Sequence, residues 1–97
     1  MAKGYWIASV DIEDPEAYKG YIAAHSPVLQ SFGAKFLVRG GERQVVEGTA
    51  RQKLVVIEFE SYQMALDCYR SPAYQATAAI RHGAAVSDIV VTEGYAG

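Results

Sequence analysis

The sequence predicts an α+β sandwich: one four-stranded antiparallel sheet with two helices on one face. Three observations point there. Apolar residues alternate at strand spacing in four stretches of the chain. Two apolar stripes at helical spacing, each opened by capping residues, separate the first stretch from the second and the third from the fourth. The strands are also apolar on both faces. The chain's own helices cover one face, and a second copy of the protein is the simplest cover for the other.

The first strand is read over Gly4 to Ile12. Tyr5, Ile7, Ser9 and Asp11 point one way, and Trp6, Ala8, Val10 and Ile12 the other. Asp14-Pro15-Glu16 then opens a helix. Asp14 serves as cap, Pro15 suits the first helical position, and Glu16 complements the positive helix end. Tyr18, Tyr21, Ile22, His25, Leu29 and Phe32 form its apolar stripe. Pro27 is expected to kink or split this helix near His25-Ser26, and Gly33 to end it.

Ala34 to Val46 reads as the second strand, interrupted by Gly40-Gly41, a pair that suggests a bulge. After a turn at Glu47-Gly48-Thr49-Ala50, the third strand runs from Lys53 to Glu60. Val55, Ile57 and Phe59 share one face, and Leu54, Val56 and Glu58 the other. A helix starting near Ser61 or Tyr62 is interrupted at Ser71-Pro72. There serine can cap and proline can begin a new segment, which Gly83 stops. Ala85 to Glu93 is the last strand. This order, βαββαβ, is the ferredoxin-like motif, and both crossovers lay their helices on one face of the sheet. Trp6, Val10, Val55, Ile57, Phe59, Ile89 and Val91 are expected on the helix side. Ile7, Ser9, Leu37, Arg39, Leu54, Val56, Glu58, Val90 and Thr92 are expected on the other. Two such sheets meeting face to face give a two-fold symmetric dimeric α+β barrel.

With 97 residues the chain is expected to be one domain over positions 1–97, able to build a core without staples. Hydrophobic residues make up 51% and charged residues 21%, a globular balance. Nine basic side chains against 11 acidic ones argue against a nucleic-acid footprint. No apolar run reaches the roughly 20 residues of a membrane span, and Met1-Ala2-Lys3-Gly4 leads directly into a strand rather than a signal peptide. Cys68 stands alone, so a cytoplasmic protein with a reduced thiol is expected. The two histidines and one cysteine form no metal-ligand spacing, and no metal or cofactor is expected.

Arg39 and Glu58 are the sharpest candidate pair, placed by alternation on neighbouring strands of the outer face. The arginine could hold an anionic or carbonyl substrate and the carboxylate could act as base; the alternative is a structural ion pair. His25 could serve as acid or base, or be a packing residue. Tyr69-Arg70-Ser71-Pro72-Ala73-Tyr74 is the densest polar and aromatic cluster. Ser71 opens a helix N-terminus that can attract an anion, Tyr69 and Tyr74 could wall a pocket, and Arg81 lies on the same helix face as Tyr74; helix capping and tyrosine packing explain much of this as well. His82 reads as a partner of a helix C-terminus. Arg39-Gly40-Gly41 is too short for a phosphate loop. Cys68 reads as an inert core thiol.

These residues carry a resemblance. Gly4-Tyr5-Trp6, Phe36-Leu37-Val38-Arg39-Gly40-Gly41, Phe59-Glu60-Ser61, Tyr69 to Tyr74 and Arg81 resemble a bacterial domain-of-unknown-function family, number thirteen-thirty, over nearly the whole chain. The resemblance implies a subunit of the dimeric α+β barrel superfamily. Relatives there include cofactor-independent monooxygenases, muconolactone isomerases and dye- or haem-handling enzymes. Arg39, Gly40, Gly41, Tyr69, Ser71, Tyr74 and Arg81 are the motif positions it carries over. Glu60 departs from the family's usual proline, which bears on the strand exit. Fold similarity alone does not give a reaction.

The expectation is therefore a homodimer binding a small, anionic or aromatic metabolite, with cofactor-free proton transfer or oxygenation if it is an enzyme. Arg39, Gly40, Gly41, Tyr69, Ser71, Tyr74 and Arg81 would bind the substrate, and His25 or Glu58 would be the base. A non-catalytic ligand-binding module and a purely structural dimer are the alternatives.

Overall fold

A computed structural model describes residues 2–95. In chain order the elements are β1 (Gly4–Ile12), α1 (Pro15–Ser31), β2 (Lys35–Arg39), β3 (Lys53–Phe59), α2 (Tyr62–Arg70), α3 (Pro72–His82) and β4 (Ala85–Glu93). The strands form one sheet in the order β2-β3-β1-β4, with every neighbouring pair antiparallel. This is the ferredoxin-like arrangement, with its second helix divided in two at Ser71-Pro72.

The capping chemistry explains the helix boundaries. The Asp14 carboxylate accepts from the Ala17 amide at 3.1 Å, and the Ser61 hydroxyl from the Met64 amide at 3.1 Å. Ser71 closes α2 and opens α3: its hydroxyl donates to the Cys68 carbonyl at 2.8 Å and accepts from the Tyr74 amide at 3.1 Å. At the end of α1, the Ala34 amide reaches back to the Leu29 carbonyl and the Gly33 amide to that of Gln30. Gly33 there takes φ +72°, which suits glycine.

Two sequence expectations are corrected. Pro27 does not split α1 near His25-Ser26; the helix runs on to Ser31. The proline withholds only the one amide that would have bonded the Ala23 carbonyl, and the buried stripe of Tyr18, Tyr21, His25 and Leu29 holds the helix across that gap. The second strand ends at Arg39 rather than Val46. Gly40 takes φ +66° and turns the chain out of the sheet, and residues 40–52 form a loop. Arg51 pins the end of that loop with ion pairs of 2.9 Å to Asp11 and 3.0 Å to Asp88.

The core lies between the sheet and the helices. Trp6, Val10, Ile57 and Phe59 rise from the sheet to meet Leu29, Ala65, Cys68, Tyr74 and Ala78. The Trp6 indole donates to the Ala65 carbonyl at 2.8 Å, tying β1 to α2. The opposite sheet face is open: Ile7 and Val90, directly paired across β1 and β4, are 40% and 58% exposed.

Candidate functional site

A cavity lies within the layer between sheet and helices. Trp6, Val10, Val55 and Ile57 form its floor, α1 contributes Tyr18, Tyr21 and His25, and α3 contributes Tyr74 and Arg81. About 30 Å³ of it can be occupied by water, room for about two molecules, and all the unfilled space around it, open solvent included, comes to about 430 Å³. Arg39 and Lys53 also line it.

The charge of this site is one-sided. Its lining holds Arg39, Lys53 and Arg81 and no carboxylate. None of the three takes part in an ion pair among the described residues; those pairs join Lys3 to Glu60, Lys19 to Glu16, and Arg51 to Asp11 and Asp88. Each cation instead lies over an aromatic face. The Arg39 guanidinium is 4.2 Å from the Phe36 ring centre, the Lys53 ammonium 5.4 Å from that of Tyr18, and the Arg81 guanidinium 5.6 Å from that of Tyr21.

Arg81 is the most constrained of them. It is 4% exposed. One terminal nitrogen donates to the Ser87 hydroxyl at 2.5 Å, and the other lies 3.5 Å from His82 Nε2. Its Nε is buried with no hydrogen-bond partner. A buried cation short of acceptors is costly, and an anion beside it removes that cost.

His25 is 4% exposed, edge-on to Tyr21 with ring centres 4.6 Å apart and stacked on Phe36 at 6.1 Å. Burial first, then the charges of Arg39, Lys53 and Arg81, hold its pKa down to about 4. The imidazole is neutral at pH 7. Burial, followed by the charge of Arg39, also lowers the Lys53 ammonium. The hydroxyls of Tyr21 and Tyr74 are hydrogen-bonded to each other, and burial raises both pKa values, so both phenols keep their protons. The pair uses one of its two protons internally and has one left to donate.

Of the residues singled out from sequence, the structure brings His25, Arg39, Tyr74 and Arg81 to this cavity. Arg39 is there for a reason opposite to the one expected. A bulge between Phe36 and Val38 makes Leu37 an extra residue, so Arg39 pairs with Val55 and takes the helix side of the sheet. The expected Arg39–Glu58 pair does not form. Glu58 stays on the open face, opposite Tyr5 in the β1–β3 register, where it accepts from the Tyr5 hydroxyl at 3.1 Å. Ser71 spends its hydroxyl on the two helix ends, and Tyr69 packs against Trp6 and Tyr74 and lines a groove outside the cavity. Gly40 forms the turn after Arg39, with its amide bonded to the Leu54 carbonyl at 3.0 Å; Gly41 follows it in the exposed loop.

Sequence reasoning passed over Lys53, Tyr18 and Tyr21 as site residues. The signal for Lys53 was present: it has the same parity as Val55, Ile57 and Phe59 and so belongs to the helix face. No group of three His, Cys, Asp or Glu side chains gathers for a metal ion among the described residues, and none of their helices is long and apolar enough to cross a membrane.

Residues 3–95 match the family described as domain of unknown function DUF1330, and the chain belongs to that family. No curated protein matches it. Among solved structures, it is similar to a protein of unknown function from Rhodopseudomonas palustris, with TM-score 0.79 and 17% identity over 99% of this chain and 85% of that one. The cofactor-independent oxygenase SnoaB of Streptomyces nogalater has TM-score 0.66 and 9% identity over 100% and 97%. A dimeric ferredoxin-like protein of unknown function from Thermobifida fusca has TM-score 0.60 and 16% identity over 95% and 89%. At these identities the likeness establishes the fold.

Proposed function

We propose that this DUF1330 member binds a small organic anion in the cavity between sheet and helices, and catalyses a cofactor-free proton transfer on it. The carrying observation is Arg81: a guanidinium 4% exposed, with an unpartnered Nε, in a cavity lined by three cations and no acid. The anionic group sits against Arg81, and the rest of the ligand lies on the tyrosine and aliphatic walls.

His25 is the base. In the free protein, burial and the neighbouring cations keep it weak. A bound anion offsets those cations, so the imidazole becomes more basic when ligand is present. The spare phenolic proton of the Tyr21–Tyr74 pair donates to the oxygen on which charge develops. We further propose that the chain pairs with a second copy through its open sheet face. The cytoplasm is the proposed location, where the lone buried Cys68 stays a thiol.

A melting-temperature screen against small aliphatic acids, aromatic acids and lactones tests the binding. Acids should raise Tm by mass action, and the corresponding neutral amides should not. Acids that bind are then incubated in deuterated buffer, where exchange at the carbon beside the acid or carbonyl group should be lost in His25→Gln. The oxygenase fold neighbour is reason to record oxygen consumption in the same samples. If no acid shifts Tm, the reading fails. If acids bind but neither exchange nor oxygen uptake is detected, the protein is a binding module.

A further inference from the structure

The cavity's cations are not gathered at one point. Arg81 comes from α3 and lies over Tyr21, whereas Arg39 comes from β2 and lies over Phe36. His25 stands between these two rings, edge-on to Tyr21 and stacked on Phe36. Lys53 joins the Arg39 end: Arg39 pairs with Val55, two residues along β3, and the Lys53 side chain runs beside Gly40, where a Cβ would stand 3.1 Å from its Cε. The site thus has a buried positive end at Arg81 and a more exposed positive end at Arg39 and Lys53, with the histidine in the row between them.

A monoanion at Arg81 leaves the second end uncompensated. Two like charges at the mouth of a cavity with largely apolar walls repel one another, and an anion placed between them relieves that repulsion. The Arg39 guanidinium lies over the Phe36 ring and has no carboxylate partner among the described residues, so its donors are free for an incoming ligand. Resting on the organic-anion reading above, we infer that the ligand is a short dianion, such as a dicarboxylate. One anionic group meets Arg81, the other meets Arg39 and Lys53, and the carbon between them faces His25; the side chains at the Arg39 and Lys53 end must part to admit it, since the cavity as it stands takes about two waters.

Matched pairs of acids with one skeleton and different charge test this: succinate against butyrate, fumarate against crotonate, and phthalate against benzoate, each titrated calorimetrically into the wild-type protein. At least one dianion should bind about tenfold or more tighter than its monoanionic partner. In Arg39→Gln and in Lys53→Gln, both made outside the buried core, that ratio should fall toward one. Equal affinity within every pair would overturn the dianion and leave the organic-anion reading in place. A preference for dianions that survives in both variants would overturn the second anchoring point. Failure of all six acids to bind would remove both readings together.

Discussion

The hydroxyl oxygens of Tyr21 and Tyr74 lie 2.7 Å apart in the buried interior and join α1 directly to α3. Both side chains are at most 5% exposed, so neither hydroxyl has water as a ready substitute partner. Tyr21→Phe leaves the Tyr74 hydroxyl short of a bond and should cost about 1–2 kcal/mol. The double change Tyr21→Phe with Tyr74→Phe removes both polar groups and should cost less than the sum of the single changes. Urea melts of the four proteins would show this coupling, and strictly additive costs would mean that the bond contributes nothing.

His25 gives stability a predictable pH slope. Its folded pKa is held down to about 4, against an ordinary value of 6.5. Between those two values the unfolded chain holds the extra proton and the folded chain does not. Stability from this group is therefore complete above about pH 6.5, declines as pH falls, and levels off below about pH 4, with a total loss of roughly 3 kcal/mol. The carboxylates add their own slope at the acid end, so the informative quantity is the difference between wild type and His25→Gln. That difference should change steadily from pH 6.5 to pH 4. A constant difference would show that the imidazole titrates alike in both states.

The architecture was legible in the sequence because its signals are local. Asp14, Ser61 and Ser71 announce the helix starts, and each does cap the helix that follows it. The alternation of β1, β3 and β4 likewise assigns faces correctly, down to Trp6 inside and Ile7 outside. The site was less legible because β2 breaks its own parity. One extra residue at Leu37 inverts every position after it, and no local residue type in Phe36-Leu37-Val38-Arg39 marks the slip. Glu58, on the regular strand β3, kept its predicted face while Arg39 lost its own. The burial of Arg81 was hidden for a different reason. It depends on the approach of α1 from a distant part of the chain and on the path by which β4 returns under α3 after Gly83, neither of which helix periodicity can express.

Gly4 should be sensitive to any side chain. A Cβ there would stand 2.6 Å from the Ser61 carbonyl carbon and from the Tyr62 Cα, both backbone atoms at the start of α2. Neither atom can swing aside as a side-chain tip can, so the strand and the helix must separate. Gly4→Ala is expected to lose about 1–3 kcal/mol. Gly41→Ala meets nothing within 4 Å and serves as the neutral control. Equal melting temperatures for the two variants would contradict this close approach.

The open sheet face carries the prediction about assembly. Ile7 and Val90 form a cross-strand pair there, Val56 pairs with Ile7 on the other side, and Val38 continues the row into β2. Burying this row against its symmetric counterpart would contribute about 1.5–3 kcal/mol for each large side chain fully covered. At tens of micromolar, light scattering should therefore give twice the 10.5 kDa of one chain. Val90→Lys places a charge at a 58%-exposed position of the subunit, where the isolated fold tolerates it, and on the face proposed to pair, where it would lose its water. Its dissociation constant should rise by at least about a hundredfold, with the far-ultraviolet circular dichroism unchanged. A wild-type mass of 10.5 kDa would exclude this pairing. A dimer that Val90→Lys does not weaken would place the contact elsewhere on the surface.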